Sequence, residues 1–246
     1  MILAVLQVRT TSARLPGKAL LPLLGVPLVL RVTERIGRAR SLDGLVVATS
    51  VDPSDDELAA VLEQAGVVVR RGSLTDVLGR FLQVVDEFDP ETVVRLTADN
   101  PLVDPEVIDR VVDAHRAGVA DYTSNSLTRT FPRGLDVEVV RAQALRRLAG
   151  LDPSDEEREH VTMGVYRRPE LFSVEQVVQA TDQSELRWTV DYPHDLAFAE
   201  AVYHELYPQN PHFGRDDVIR FLERNPHLQH TDADTATGAS PGTTSV

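Results

Sequence analysis

Three cations stand close together near the N-terminus: Arg9, Arg14 and Lys18, with Thr10, Thr11 and Ser12 between them. Arginine presents a planar fork to phosphate or carboxylate oxygens, and lysine a compact point charge, so the group suits a polyanionic ligand. A solvated basic loop is the other reading of the same residues. Two carboxylates stand apart from the acidic background. Asp99 and Asp191 each end an apolar run. Carboxylates with phosphate oxygens and water are the usual surroundings of Mg²⁺. Asp99 also fits an Asx turn ahead of Pro101, and Asp191 fits the electropositive start of a helix. No pair of histidines has metal-ligand spacing, and no nucleophilic triad is apparent. The chain has no cysteine. Disulfides, thiolate metal sites and a cysteine nucleophile are thereby excluded.

The elements that must position these residues follow from periodicity. The unbroken apolar run 2–6 reads as a strand buried on both faces, as in the middle of a parallel sheet. Pro16 and Gly17 keep the cationic segment from continuing as helix or strand. Ligands of open parallel sheets sit beyond the carboxyl ends of the strands, so a loop here is placed to hold an anion. Further on, Leu28, Val32, Ile36 and Ala39 mark one helix face. Residues 45–49 read as a strand, Ser54 to Glu57 as a capping box, and residues 67–69 as a strand ending in a basic turn, Arg70 to Ser73. A helix over 75–88 and a buried strand over 91–96 continue the alternation, and Asp104 caps a helix with Pro105 in its first turn. Residues 121–125 read as a short strand. The alternation over 135–140 reads as a half-exposed strand with Asp136 and Glu138 facing solvent. Ser154 opens a capping box whose helix runs through Thr162. Residues 186–190 read as a last strand, followed by helices carrying Leu196 to Leu206 and spanning 215–224. Strand–helix alternation implies one α/β domain over 1–228, a mostly parallel sheet with helices on both faces. The polar stretch 229–246 reads as a disordered tail.

Charge narrows the partners. The net charge of −13 repels nucleic acid, whose binders need a basic face. A small phosphate ligand remains compatible where cations concentrate and a divalent metal assists. No apolar stretch is long enough to span a bilayer, and the first apolar run lacks a preceding basic region, so a cytoplasmic protein without membrane partners is expected.

The pattern Gln7-x-Arg9-x-x-Ser12-x-Arg14-Leu15-Pro16-Gly17-Lys18 resembles the opening of the cytidylyltransferases that activate acidic sugars. It is most similar to the SpsF-type proteins, relatives of the CMP-Kdo and CMP-sialic acid synthetases, and the resemblance continues to about Tyr207. It implies a three-layer α/β/α nucleotidyltransferase fold, Rossmann-like, and transfer of CMP from CTP, with Mg²⁺, to a small acidic acceptor: a sugar acid, another acid, or a phosphonate or phosphate. By that resemblance Arg9, Arg14 and Lys18 act on the triphosphate. Gln7, Ser12, Arg71, Asp76 and Asp99 lie by the nucleotide, and Asp99 and Asp191 hold the metal. Ala98 stands where the family's Gly-Asp-x-Pro-Leu signature has glycine. Asn125, Asp136, Glu138, Arg158 and His160 fall to the acceptor side. Judged alone, Arg71 reads equally as a surface charge and His160 as a structural histidine. Relatives of this type are commonly homodimers, and a homodimer is expected here. Two rival readings are a metal-dependent glycosyltransferase, suggested by Asp136-Val137-Glu138, and a nucleotide-binding module without turnover.

Overall fold

The computed structural model describes residues 1–229 and 231. β1 (Ile2–Gln7) is apolar at successive positions because both its faces are covered. Ile2, Ala4 and Leu6 enter one core, and Leu3 and Val5 enter the other. The cationic loop comes next, then a small hairpin of β2 (Pro22–Leu23) and β3 (Val26–Pro27). α1 (Leu28–Ile36), β4 (Gly44–Ser50), α2 (Asp56–Gln64), β5 (Val68–Gly72), α3 (Val77–Phe88) and β6 (Thr92–Thr97) then alternate. These strands pair in parallel, in the order β5-β4-β1-β6.

α4 (Pro105–Ala117) is capped by Asp104, which accepts from the N–H groups of Glu106 and Val107. It leads to β7 (Tyr122–Ser124). β8 (Glu138–Arg141) runs antiparallel between β6 and β7. α5 (Ala142–Ala149), α6 (Asp155–Glu159) and α7 (Met163–Tyr166) precede β9 (Val174–Gln176), which lies parallel to β7 and completes a seven-stranded sheet. α8 (Pro193–Leu206) and α9 (Arg215–Arg224) come last of the α-helices. One core packs α1, α2, α4, α8 and α9 on the sheet, and the other packs α3, α5 and α7. The result is the expected three-layer α/β/α arrangement. Leu28, Val32 and Ile36 of α1 are fully buried, each contributing roughly 1.5–3 kcal/mol relative to exposure. Among the described residues no helix is long and apolar enough to cross a membrane.

Several local expectations are corrected. Ser54 forms no capping box. Asp52 accepts from the Ser54 N–H, Pro53 opens a 3₁₀ turn, and Asp55 points inward. Arg70, Arg71 and Gly72 lie within β5 rather than in a turn beyond it. The 135–140 stretch is not half-exposed, because β8 sits inside the sheet and its Glu138 is buried. The helix at Ser154 keeps its capping box but ends at Glu159, and Val161 adopts φ 55°. Residues 186–190 are extended and buried but join no ladder; they touch their neighbours through single bridges at Leu186 and Arg187. The edge strand β9 was not foreseen, being three residues long with Glu175 at its centre. Apart from Gln229 and Thr231, the expected disordered tail lies outside the described residues.

Candidate functional site

β1 delivers its chain to the sheet's carboxyl edge, and Asp55 anchors the cationic loop just beyond it. Asp55 is wholly buried. Its Oδ1 accepts from the Thr10 N–H (2.8 Å) and hydroxyl (2.7 Å). Its Oδ2 accepts from the Thr49 hydroxyl and from the N–H and hydroxyl of Ser50. Thr10 O then receives the N–H groups of Ser12 and Gly17. Gly17, at φ 69°, takes a left-handed conformation that glycine adopts without steric cost. The loop thus curls back, and its last residue, Lys18, turns under the sheet edge.

A cavity of about 450 Å³ opens between this loop and the carboxyl ends of β1 and β6. Gln7, Arg9, Ser12, Arg14, Lys18 and Asp99 line it, as do His160 and Asp191. Each loop cation meets a carboxylate. Arg9 pairs with Glu159 (3.0 Å). Arg14 lies 3.5 Å from Asp191 and over the Tyr192 ring. Lys18 reaches both Asp99 (3.3 Å) and Asp191 (3.1 Å). Asp99 is not held in an Asx turn, since its Oδ1 accepts from the Thr97 hydroxyl. Nor does Asp191 cap α8; Asp195 does so, accepting from the N–H groups of Asp191 and Tyr192. Burial opposes ionisation of Asp191 most strongly, but Lys18, Arg187 and Arg14 outweigh it and hold its pKa below the usual carboxylate value.

The backbone sets the spacing of the two carboxylates. The Val190 N–H donates to Asp99 O at 2.7 Å, and the Thr189 hydroxyl reaches the same oxygen. The two apolar runs therefore end side by side, although the second belongs to no sheet. Gly134 makes this docking close: a Cβ there would lie 2.8 Å from Thr189 N and Trp188 C. Two carboxylates and neighbouring oxygens are hard donors that suit Mg²⁺ completed by phosphate and water. Among the described residues no group of three His, Cys, Asp or Glu side chains gathers around a common point, so water or phosphate oxygens would complete the shell of such an ion.

Other expected residues lie elsewhere. Arg71 turns to Ser50 O, Asp52 O and Asp56. Asp76 caps α3 and pairs with Arg158, so neither lines the cavity. Asn125 is buried with its amide bonded to the backbone of Leu135 and Val137. Asp136 and Glu138 line a second cavity of about 280 Å³, which shares Thr97 with the first. There Asp136 pairs with Arg129, while Glu138 pairs with Arg95 and accepts from Tyr122 and Thr162. Sequence reasoning missed Asp55, Glu159 and Arg95. For Arg95 the signal was present: a cation inside the otherwise apolar run of β6. A larger groove of about 590 Å³ flanks the starts of α4 and α9, but none of the expected residues lines it. Most of its arginines are tied to carboxylates, as in Arg220–Asp217 and Arg215–Asp216, while Arg110 donates to the Val178 carbonyl.

Known proteins resemble this chain over most of its length. The spore coat polysaccharide biosynthesis protein SpsF of Bacillus subtilis (strain 168) is 36% identical over 233 residues, covering 92% of this chain and 95% of its own. A 3-deoxy-manno-octulosonate cytidylyltransferase of Anaeromyxobacter sp. (strain K) is 36% identical over 148 residues, 59% of this chain and 57% of its own. The solved structure of a cytidylyltransferase from Leptospira borgpetersenii serovar Hardjo-bovis superposes with a TM-score of 0.86 at 29% identity, covering 92% of this chain and 95% of that one. The cytidylyltransferase family model matches residues 3–210. That span takes in the cationic loop, both carboxylates and α8, and on it the chain belongs to the cytidylyltransferase family of nucleotidyltransferases.

Proposed function

We propose that the protein transfers CMP from CTP to a small acidic acceptor, a sugar acid or another acid, phosphonate or phosphate, and releases pyrophosphate. An acceptor oxygen attacks the α-phosphorus, and the bond from that phosphorus to the β-phosphate's bridging oxygen breaks. A carboxylate, phosphate or phosphonate oxygen is already ionised and needs no general base, whereas a sugar hydroxyl would give up its proton to water or a base as it attacks. The observation that carries this reading is the meeting of Arg9, Arg14 and Lys18 with Asp99 and Asp191 in one cavity at the carboxyl ends of β1 and β6. In that cavity the three loop cations are balanced by Asp99, Glu159 and Asp191. A triphosphate therefore cannot be neutralised by side chains alone. Mg²⁺ held by Asp99 and Asp191 would supply the missing positive charge.

Arg9, Arg14 and Lys18 turn from their carboxylates to the phosphate oxygens and stabilise the leaving pyrophosphate. The acceptor is assigned to the second cavity, where Arg129, Asp136 and Ser126 offer donors and acceptors next to Thr97. Incubating the protein with CTP, Mg²⁺ and a panel of acidic acceptors tests the reading. Pyrophosphate release dependent on one acceptor is expected. Release of a nucleoside diphosphate would favour a glycosyltransferase, and CTP binding without turnover across the panel would favour a binding module. Asp99→Asn is expected to remove most turnover at saturating CTP while leaving thermal stability nearly unchanged.

A further inference from the structure

The ammonium of Lys18 sits among three oxygens. Its Nζ lies 3.3 Å from Asp99 Oδ2, 3.1 Å from Asp191 Oδ1 and 2.7 Å from the Val190 carbonyl. A lysine ammonium has three N–H donors, so all three are matched. The side chain is only 14% exposed. The oxygens turned away from Lys18 are fixed by other donors. Asp99 Oδ1 accepts from the Thr97 hydroxyl at 2.6 Å, and Asp191 Oδ2 accepts from Arg187 at 2.7 Å. Such outer bonds orient ligating carboxylates in metal sites. The inner two oxygens and the Val190 carbonyl thus converge on one point, and a side-chain cation occupies it.

We propose that Lys18 is the resident cation of the carboxylate pair in the nucleotide-free protein, and that a divalent ion enters only when a polyphosphate draws the ammonium away. The inference rests on the reading of Asp99 and Asp191 as metal ligands. A divalent ion and an ammonium compete for the same carboxylate oxygens, because the two like charges repel strongly at contact distance. The four-carbon stem of lysine lets the ammonium move while the loop stays anchored at Asp55. Phosphate oxygens offer it charged acceptors in place of those it leaves. Nucleotide and metal then bind with positive coupling, and the coupling is reciprocal. Lys18 both receives the phosphates and sets the order in which the site fills.

Direct Mn²⁺ binding, followed by the electron paramagnetic resonance of the free ion, tests this without turnover. Measurements use the wild type, Lys18→Met, Lys18→Ala, Asp99→Asn and the double variant Lys18→Met/Asp99→Asn, each with and without CTP and with no acceptor, and the Mn²⁺ held by CTP alone is measured without protein and subtracted. Thermal melts verify that each variant is folded. Without CTP, both single variants are expected to bind Mn²⁺ at least about tenfold more tightly than the wild type, and the double variant to lose the gain. With CTP, the wild type is expected to gain at least about tenfold in Mn²⁺ affinity, and Lys18→Met to gain much less. Equal Mn²⁺ affinity of wild type and Lys18 variants without CTP would overturn the placeholder role. If that equality came with CTP-dependent Mn²⁺ binding lost in Asp99→Asn, the metal pair would stand and only the role of Lys18 would fall. Absence of protein-dependent Mn²⁺ binding in every sample, beyond what CTP alone holds, would overturn the metal reading and this inference together.

Discussion

Asp55→Asn is the substitution most directly worked from the structure. The carboxylate receives two donors on Oδ1 and three on Oδ2. Hydroxyls can rotate to suit a new partner, but backbone N–H groups cannot, and each oxygen faces one: Thr10 N–H on one side and Ser50 N–H on the other. Whichever way an asparagine amide is flipped, its NH₂ meets a fixed donor inside the protein. One charge-assisted bond is lost and one buried N–H is left without an acceptor, terms of roughly 1.5–3 and 1–3 kcal/mol that overlap. The net loss is about 3 kcal/mol, which for a chain of this size lowers Tm by roughly 6–12 °C.

The pH dependence has a definite sign. Burial pushes the Asp55 pKa up, but bonds from Ser50, Thr10 and Thr49 more than offset it and leave it below the usual value. Its stabilisation is therefore complete above the unfolded pKa of about 3.9 and is lost as pH falls through the lower folded value. Paired melts at pH 7 and near pH 3 should show a wide gap between wild type and Asp55→Asn that narrows on acidification. Because Thr10 roots the cationic loop, the KM for nucleotide should rise several-fold as well. A variant melting within about 1 °C of wild type at pH 7, with unchanged KM, would refute the reasoning.

Gly134→Ala should destabilise by at least about 2 kcal/mol, from φ 105° and the contact with 188–189. Gly66→Ala, with φ 77° but open space around it, should cost about 1 kcal/mol, and chemical denaturation of the two variants checks the difference. Glu159→Gln breaks a half-exposed pair with Arg9, so its unfolding free energy from chemical denaturation should change by less than about 1 kcal/mol. With Arg9 released, nucleotide affinity measured by calorimetry should rise by up to a few-fold. Burial lowers the His115 pKa to about 4. The unfolded imidazole takes a proton near pH 6.5 and the folded one does not, so this residue's contribution is full above pH 6.5 and falls as the pH drops towards 4. His115→Leu should flatten that part of the stability–pH profile, read from denaturant midpoints.

Much of the sheet's parallel half was legible because β1 and β4 carry unbroken apolar runs and β6 is apolar apart from Arg95 between its terminal threonines, as covered strands are. The helices α1 and α4 were legible from their apolar spacing and, in α4, from the Asp104-Pro105 start. The segment carrying Asp191 was read as a strand from the same apolar character. It is buried by Gly134 and Asp99 instead, and burial alone does not say which backbone a segment pairs with. Glu138 illustrates the opposite limit. Period-two alternation placed it on a wet face, but its charge is compensated by Arg95, a partner 43 residues earlier that no local pattern reveals. Arg71 and Asp76 were placed beside the nucleotide through their motif, and in the nucleotide-free fold they pair with Asp56 and Arg158, partners that no local pattern reveals.

The backbone link between Val190 and Asp99 bears on how the protein is made. Lys18 and Asp191 are 173 positions apart, and contacts of such separation form late because closing the intervening chain costs entropy. During synthesis the N-terminal strand and its cationic loop leave the ribosome long before their carboxylate partners exist. A nascent chain stopped ahead of residue 186 would hold a basic loop with neither Asp191 nor the backbone clamp on Asp99. Catalytic competence is therefore a late event in folding, reached when 186–191 docks, and the appearance of activity reports completion of the C-terminal half more sensitively than helix content does.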